Sequence, residues 1–156
     1  MENNLNVRFV AQGSSFLASH RMRVTKPAEL LNVGVDNIDA TVGNQANPDV
    51  DVNIFHKHFT PHENYRAVLQ GEVLGYYTIF DVCDDHFDRE LGQYYTDMCQ
   101  KVDHITCNSA NMQERIYEVV GRLARIIPDP ITFPKGEVFI REGKEPNLIW
   151  IGHSRS

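Results

Sequence analysis

Two tripeptides in this sequence have the composition of a proton-transfer site, His58-Phe59-Thr60 and His104-Ile105-Thr106. In an extended strand, residues i and i+2 point to the same face, so each tripeptide sets an imidazole beside a hydroxyl. Two such pairs meeting in one cleft would suit phosphodiester cleavage. One neutral imidazole takes the proton of the attacking hydroxyl, the opposite imidazolium protonates the leaving oxygen, and the threonine hydroxyls hydrogen-bond the phosphate. An unperturbed imidazole pKa of about 6.5 makes both protonation states accessible near neutral pH, and no metal is required. His58 and His104 are therefore the candidate catalytic residues, with Thr60 and Thr106 on the substrate.

The first tripeptide also sits inside a second pattern, His56-Lys57-His58 followed by Glu63 and then Gly71-Glu72. Two imidazoles at i and i+2 with a nearby carboxylate are residue types that ligate Fe, Mn, Ni or Zn. The plain alternative is a solvent-exposed, histidine-rich strand end. Tyr65, Tyr76, Tyr77 and Trp150 are candidates for stacking a nucleobase, because an aromatic face accepts any base. Lys135, Arg141 and Lys144, with Glu137 between them, could meet a phosphate, although a solvated charged face is the default for such residues.

Those side chains need elements to hold them. Leu5 to Ala11 alternates as a half-buried strand, and Thr25 can cap a short helix ending near Gly34. Residues 36–50 are rich in Asn, Asp and Gly and read as an irregular loop able to lie over a site. An extended stretch runs from Val52 to Thr60, ended by Pro61, and a second from Arg66 to Val82, bent near Gly71 and Gly75. Asp84 or Asp85 can cap a helix over 84–98 with Phe87, Leu91, Tyr94, Tyr95 and Met98 on one face. Val102 to Cys107 reads as a strand carrying His104 and Thr106. Asn108 or Ser109 then caps a helix with Met112, Ile116, Val119, Val120, Leu123 and Ile127 on one face, stopped by Pro128. Two late strands, Ile131 to Arg141 and Leu148 to Ile151, complete the expected elements.

At 156 residues, with 42% hydrophobic and 23% charged, the chain matches one ordinary globular domain spanning residues 1–156. A net charge of -6 argues against duplex nucleic acid as a partner and leaves a small nucleotide open. Cys83, Cys99 and Cys107 form no paired-cysteine metal motif and suggest reduced thiols. The N-terminus has no signal-peptide pattern and no apolar run reaches membrane-spanning length, so a cytoplasmic protein without a membrane partner is expected.

With these elements in this order, the sequence resembles the two-histidine (2H) phosphoesterases, whose signature is a pair of His-x-Thr/Ser strands. Lys101-Val102-Asp103-His104-Ile105-Thr106-Cys107 is similar to the second motif of that family. The resemblance implies an α+β, bilobal fold, with antiparallel sheets lining a central cleft and helices packed outside. It further implies a metal-independent phosphodiesterase without cofactor. Its substrate would be a small cyclic or 2′,5′-linked oligonucleotide signal, as for compact viral enzymes that evade host nucleotide-based immunity in the host cytoplasm. His58 and His104 would be catalytic, and Thr60, Thr106, Trp150, Tyr65 and Arg141 would contact substrate. The stretch from His56 to Glu72 resembles instead the first cupin motif, which implies a metal-dependent dioxygenase or isomerase with His56, His58, Glu63 and His104 as ligands. Cupins are nearly all β, whereas 84–98 and 112–127 pattern as helices. A third class, a non-enzymatic protein binding a partner through an acidic surface, also fits the size and charge.

Overall fold

A computed structural model describes residues 4–11, 17–57 and 61–129. Strand β1 (Leu5–Val10) leads through α1 (Ala18–His20), a π-helical turn (Arg21–Thr25) and α2 (Lys26–Gly34) to β2 (Ile38–Gly43) and β3 (Val52–His56). Helix α3 (Pro61–Leu74) precedes β4 (Tyr77–Val82), and α4 (Gly92–Lys101) precedes β5 (His104–Cys107). Helix α5 (Ala110–Val120) and β6 (Arg125–Ile126) follow. The strands form one six-stranded sheet in the order β2-β1-β3-β4-β5-β6. The α+β content agrees with the expectation; the antiparallel, two-sheet arrangement does not, because every pairing is parallel. Alternation along a strand reports which side chains share a face and is silent on strand direction, so the residues alone left that choice open.

Parallel strands need crossovers, and helices supply most of them here. On one face, Val7, Phe9 and Ala40 meet Val24 of the π-helical turn and Ala28 of α2. On the other, Val10, Phe55, Phe80, Val82, Ile105 and Cys107 pack against Val68 of α3, Tyr95, Met98 and Cys99 of α4, and Met112 and Ile116 of α5. The winding reverses between β1 and β3, since the chain runs from β1 outward to β2 and then crosses back to β3. In such sheets the crevice outside the carboxyl ends of the strands, at the reversal, is where ligands bind.

Several expectations need correction. The stretch from 66 to 82 is a helix and then a strand. Gly71 lies inside α3, where a Cβ would come within 3.0 Å of Thr78 and Tyr76 side chains, and Gly75 at φ 84° ends the helix. Residues 36–50 contain β2. The helix expected over 84–98 begins only at Gly92: its backbone N–H donates to Arg89, that of Arg89 donates to His86, and a Cβ at 92 would lie 2.0 Å from the Phe87 carbonyl. The last helix is capped by Ser109, whose hydroxyl accepts from the Met112 N–H at 3.3 Å, but it stops at Val120 on the left-handed Gly121. The strands expected over 131–141 and 148–151 lie outside the described residues. Among the described residues, no helix is long and apolar enough to cross a membrane.

Two asparagines do strand-like work. Asn32 of α2 accepts from the Ala40 N–H at 2.7 Å and donates to the Ala40 carbonyl at 2.8 Å, so it satisfies the centre of edge strand β2. Fully buried Asn53 makes the same reciprocal pair with the backbone of Asn47, at 2.9 Å each way, and pins the connection that crosses from β2 to β3. Asn53→Ala leaves both Asn47 groups without a partner and is expected to lower stability by about 2 kcal/mol. A smaller loss than Asn32→Ala in urea denaturation would contradict this account of the crossover.

Candidate active site at the carboxyl edge of the sheet

The register aligns the last residue of β3 with its neighbours. His56 stands beside Asp81, and Asp81 beside Thr106, all on the sheet face that also carries α1 and the π-helical turn. From that helix Arg23 reaches inward. Asp81 lies 4% exposed, His56 3% and Arg23 7%, so a charged group is being buried, which is costly unless its partners are complete. They are. Asp81 Oδ2 accepts from Arg23 Nε at 3.0 Å and from His56 Nδ1 at 2.9 Å. Its Oδ1 accepts from Thr106 Oγ1 at 2.8 Å and from Arg23 Nη2. The guanidinium grips both oxygens as a two-pronged fork, the strongest form of this pairing.

Burial alone would raise the Asp81 carboxyl, but the hydrogen bonds and charges of His56 and Arg23 outweigh it and hold the pKa below the usual carboxylate range. Burial opposes the charge of Arg23 too, and its bond to Asp81 overcomes that and raises the guanidinium above its ordinary value. The remaining Arg23 nitrogen, Nη1, donates to the Ile127 carbonyl and lies 3.4 Å from Asp129, tying the chain beyond β6 to the same point.

Once Nδ1 of His56 is spent on Asp81, the other ring nitrogen faces away from the carboxylate. Nε2 of His56 is buried and, among the described residues, has no hydrogen-bond partner. A carboxylate behind one imidazole nitrogen with the other left free is the arrangement that orients a general base. At the same edge of the sheet, Ser19, Arg23, Cys83, Asp84, Asn108 and Asp129 border a cavity of about 180 Å³ that His56 does not itself line. Lys57, following β3 at φ 39°, pairs with Asp84 after β4 and braces the rim. Burial pushes the Cys83 thiol up to about 12, which favours its protonated form.

The sequence-derived candidates are distributed differently. His104 opens β5 and pairs with Ile79, so it lies exposed two residues toward the amino end from Thr106. Thr106 is at the site, with its hydroxyl committed to Asp81. Tyr65 lies on α3, packed against the core of the opposite face; Tyr76 is buried and donates to the Ala67 carbonyl at 2.5 Å; Tyr77 is exposed at the start of β4. His58, Thr60, Lys135, Glu137, Arg141, Lys144 and Trp150 lie outside the described residues.

The cupin resemblance does not fit the parallel sheet: Glu63 is exposed in the first turn of α3, and Gly71-Glu72, expected at a turn, is helical. Among the described residues no cluster of three or more His, Cys, Asp or Glu is placed to hold a metal. Arg23, Asp81 and the neighbouring His20 were not anticipated. The trace of Asp81 in the sequence is a lone acid between Phe80 and Val82, inside an otherwise apolar strand.

Removing one member of a buried ion pair strands the other. Asp81→Asn is expected to cost about 3 kcal/mol or more, and Thr106→Val about 1 kcal/mol, compared by urea denaturation. Because the Asp81 pKa is depressed in the fold, its contribution is present above the unfolded carboxyl value of about 4 and is lost as pH falls through the folded value. The cost of Asp81→Asn should therefore shrink below pH 4; a cost independent of pH would contradict the ion-pair account. No family model and no curated protein sequence matches the chain, so what bears on function is this geometry.

Proposed function

We propose that the chain is an enzyme acting on a small phosphate ester of the nucleotide type, bound at the carboxyl edge of the sheet. His56 takes a proton from a ligand hydroxyl as that oxygen attacks. One observation carries the reading, the buried Nε2 of His56, which has no hydrogen-bond partner among the described residues, with the Asp81 carboxylate behind its other nitrogen. Two further facts support it. The architecture favours small ligands at this crevice, and the Arg23–Asp81 pair fixes the imidazole in orientation.

In the neutral ring, Nδ1–H points at Asp81 and the Nε2 lone pair is the acceptor; after transfer, the carboxylate balances the imidazolium. The phosphodiesterase reading of the His-x-Thr tripeptides is kept in its substrate class and changed in its base. Thr106 holds Asp81 instead of meeting the phosphate, and His104 is two residues removed along the strand. A ligand must uncover Nε2 on binding.

The test is turnover of cyclic dinucleotides, cyclic trinucleotides and 2′,5′-oligoadenylates by wild type, His56→Gln and His104→Gln. Loss of a positioned base removes about 100-fold or more in rate, so His56→Gln should fall by that factor and His104→Gln should stay near wild type. The reverse ranking would return the chemistry to the His-x-Thr tripeptide.

A further inference from the structure

A second cavity lies on the opposite face of the sheet from Arg23. Helix α3 and the connection from β2 to β3 enclose about 200 Å³ between them. Asn64, Ala67 and Gln70 follow at three-residue intervals along one side of α3, Gln45 and Ala46 border the space from the connection, and Tyr76 completes the lining. These walls are fixed. Tyr76 donates its hydroxyl to the Ala67 carbonyl, and the paired bonds between Asn53 and Asn47 hold the connection next to Ala46.

Asn64 is the residue that packing does not account for. It is 3% exposed, and its Nδ2 is buried with no hydrogen-bond partner among the described residues. Tyr94 of α4 is near enough for this amide to offset part of the rise that burial imposes on its phenol. A carboxamide nitrogen carries two N–H groups, so one such neighbour does not satisfy both. Buried polar groups in native proteins are met by partners, and an unmet donor on a residue that lines a cavity calls for one from outside the chain.

We propose that this cavity binds a nucleobase, presented by a nucleoside or a nucleotide. Gln45, Asn64 and Gln70 are carboxamides, each offering a donor beside an acceptor, the pattern that matches the edge of adenine. Ala46, Ala67 and the Tyr76 ring make the rest of the lining apolar, as a planar heterocycle requires. The volume falls below the roughly 300–1,000 Å³ of pockets for drug-sized ligands, so one ring system fits and an oligonucleotide does not. No Lys, Arg or His stands among the described residues that line the cavity, and Glu63 at its rim is acidic, so a phosphate gains nothing inside. The same carboxylate is an acceptor for the exocyclic amine of the base. This site is separate from the carboxyl edge where His56 and Asp81 meet, and it does not depend on the function proposed for that edge.

The test is an NMR titration of the full chain with adenosine, AMP and ribose, each added separately. The side-chain amide signals of Asn64 and the methyl signals of Ala46 and Ala67 are followed up to about 10 mM, past the millimolar Kd of a weak complex. Adenosine should shift all three groups saturably, AMP should do so with a similar Kd, and ribose should shift none. Absence of a saturable shift with adenosine overturns the proposal. Ribose moving the same signals as strongly overturns the assignment to a base in favour of a sugar. AMP moving Arg23 and Asp81 signals while those of Asn64 stay still also overturns it, and credits the nucleotide to the carboxyl edge.

Two variants then assign the contacts. Gln70→Ala, at an exposed position, should raise the adenosine Kd about five-fold, as loss of one hydrogen bond does. Asn64→Leu, close in volume and without a donor, should abolish the shifts of Ala46 and Ala67. Unchanged adenosine binding in both variants overturns the role of the carboxamides. Should Asn64→Leu fail to fold, Gln70→Ala and the wild-type titration decide the matter.

Discussion

The carboxylate of Asp81 sets the terms for the rest of the molecule. A charge buried this deeply has no solvent to fall back on, so every lone pair must be met by a protein donor. Arg23, His56 and Thr106 meet them. Those donors come from a helix and two neighbouring strands, so a single side chain fixes how the helix after β1 lies across the sheet and how the ends of β3, β4 and β5 line up. Arg23 carries the constraint further, through Ile127, to the point where the chain leaves β6. A group that holds the architecture together in this way also holds an imidazole still, and the same interaction is structural and chemical at once.

Much of the framework is legible in the residues. The alternation of Leu5, Val7 and Phe9 marks β1, and the Val102 to Cys107 stretch contains β5. The apolar stripe behind Ser109 marks α5, because those elements bury one face or stripe and expose the other. Helix α3 escapes this logic. It leaves Leu69, Val73 and Leu74 exposed while burying Asn64, so its pattern mixes the signals of helix and strand. Strand direction escapes it altogether, since a period of two is common to both kinds of sheet. Parallel order is enforced at a distance, by whether a helix between two strands can cross the sheet and pack.

The site is legible in part and for a related reason. Spacing between residues finds groups that meet along one strand, and it found His56 and Thr106, though in two separate patterns. What joins them is Asp81 on the strand between, together with an arginine from a helix far upstream. Residues 25 positions apart, His56 to Asp81 and Asp81 to Thr106, become neighbours only through register. Local patterns in a chain carry no record of such lateral contact.

The π-helical turn at Arg21–Thr25 has a consequence for how this helix can change length. Successive residues of an α-helix are rotated by about 100°, and the wider turn delays that rotation so that Arg23 and Val24 both face the sheet, one toward Asp81 and one into the apolar layer. Deleting one residue here would restore regular winding and swing either the guanidinium or the valine away from its seat. The segment therefore tolerates substitution more readily than insertion or deletion, and the count of residues between His20 and Thr25 is itself under constraint.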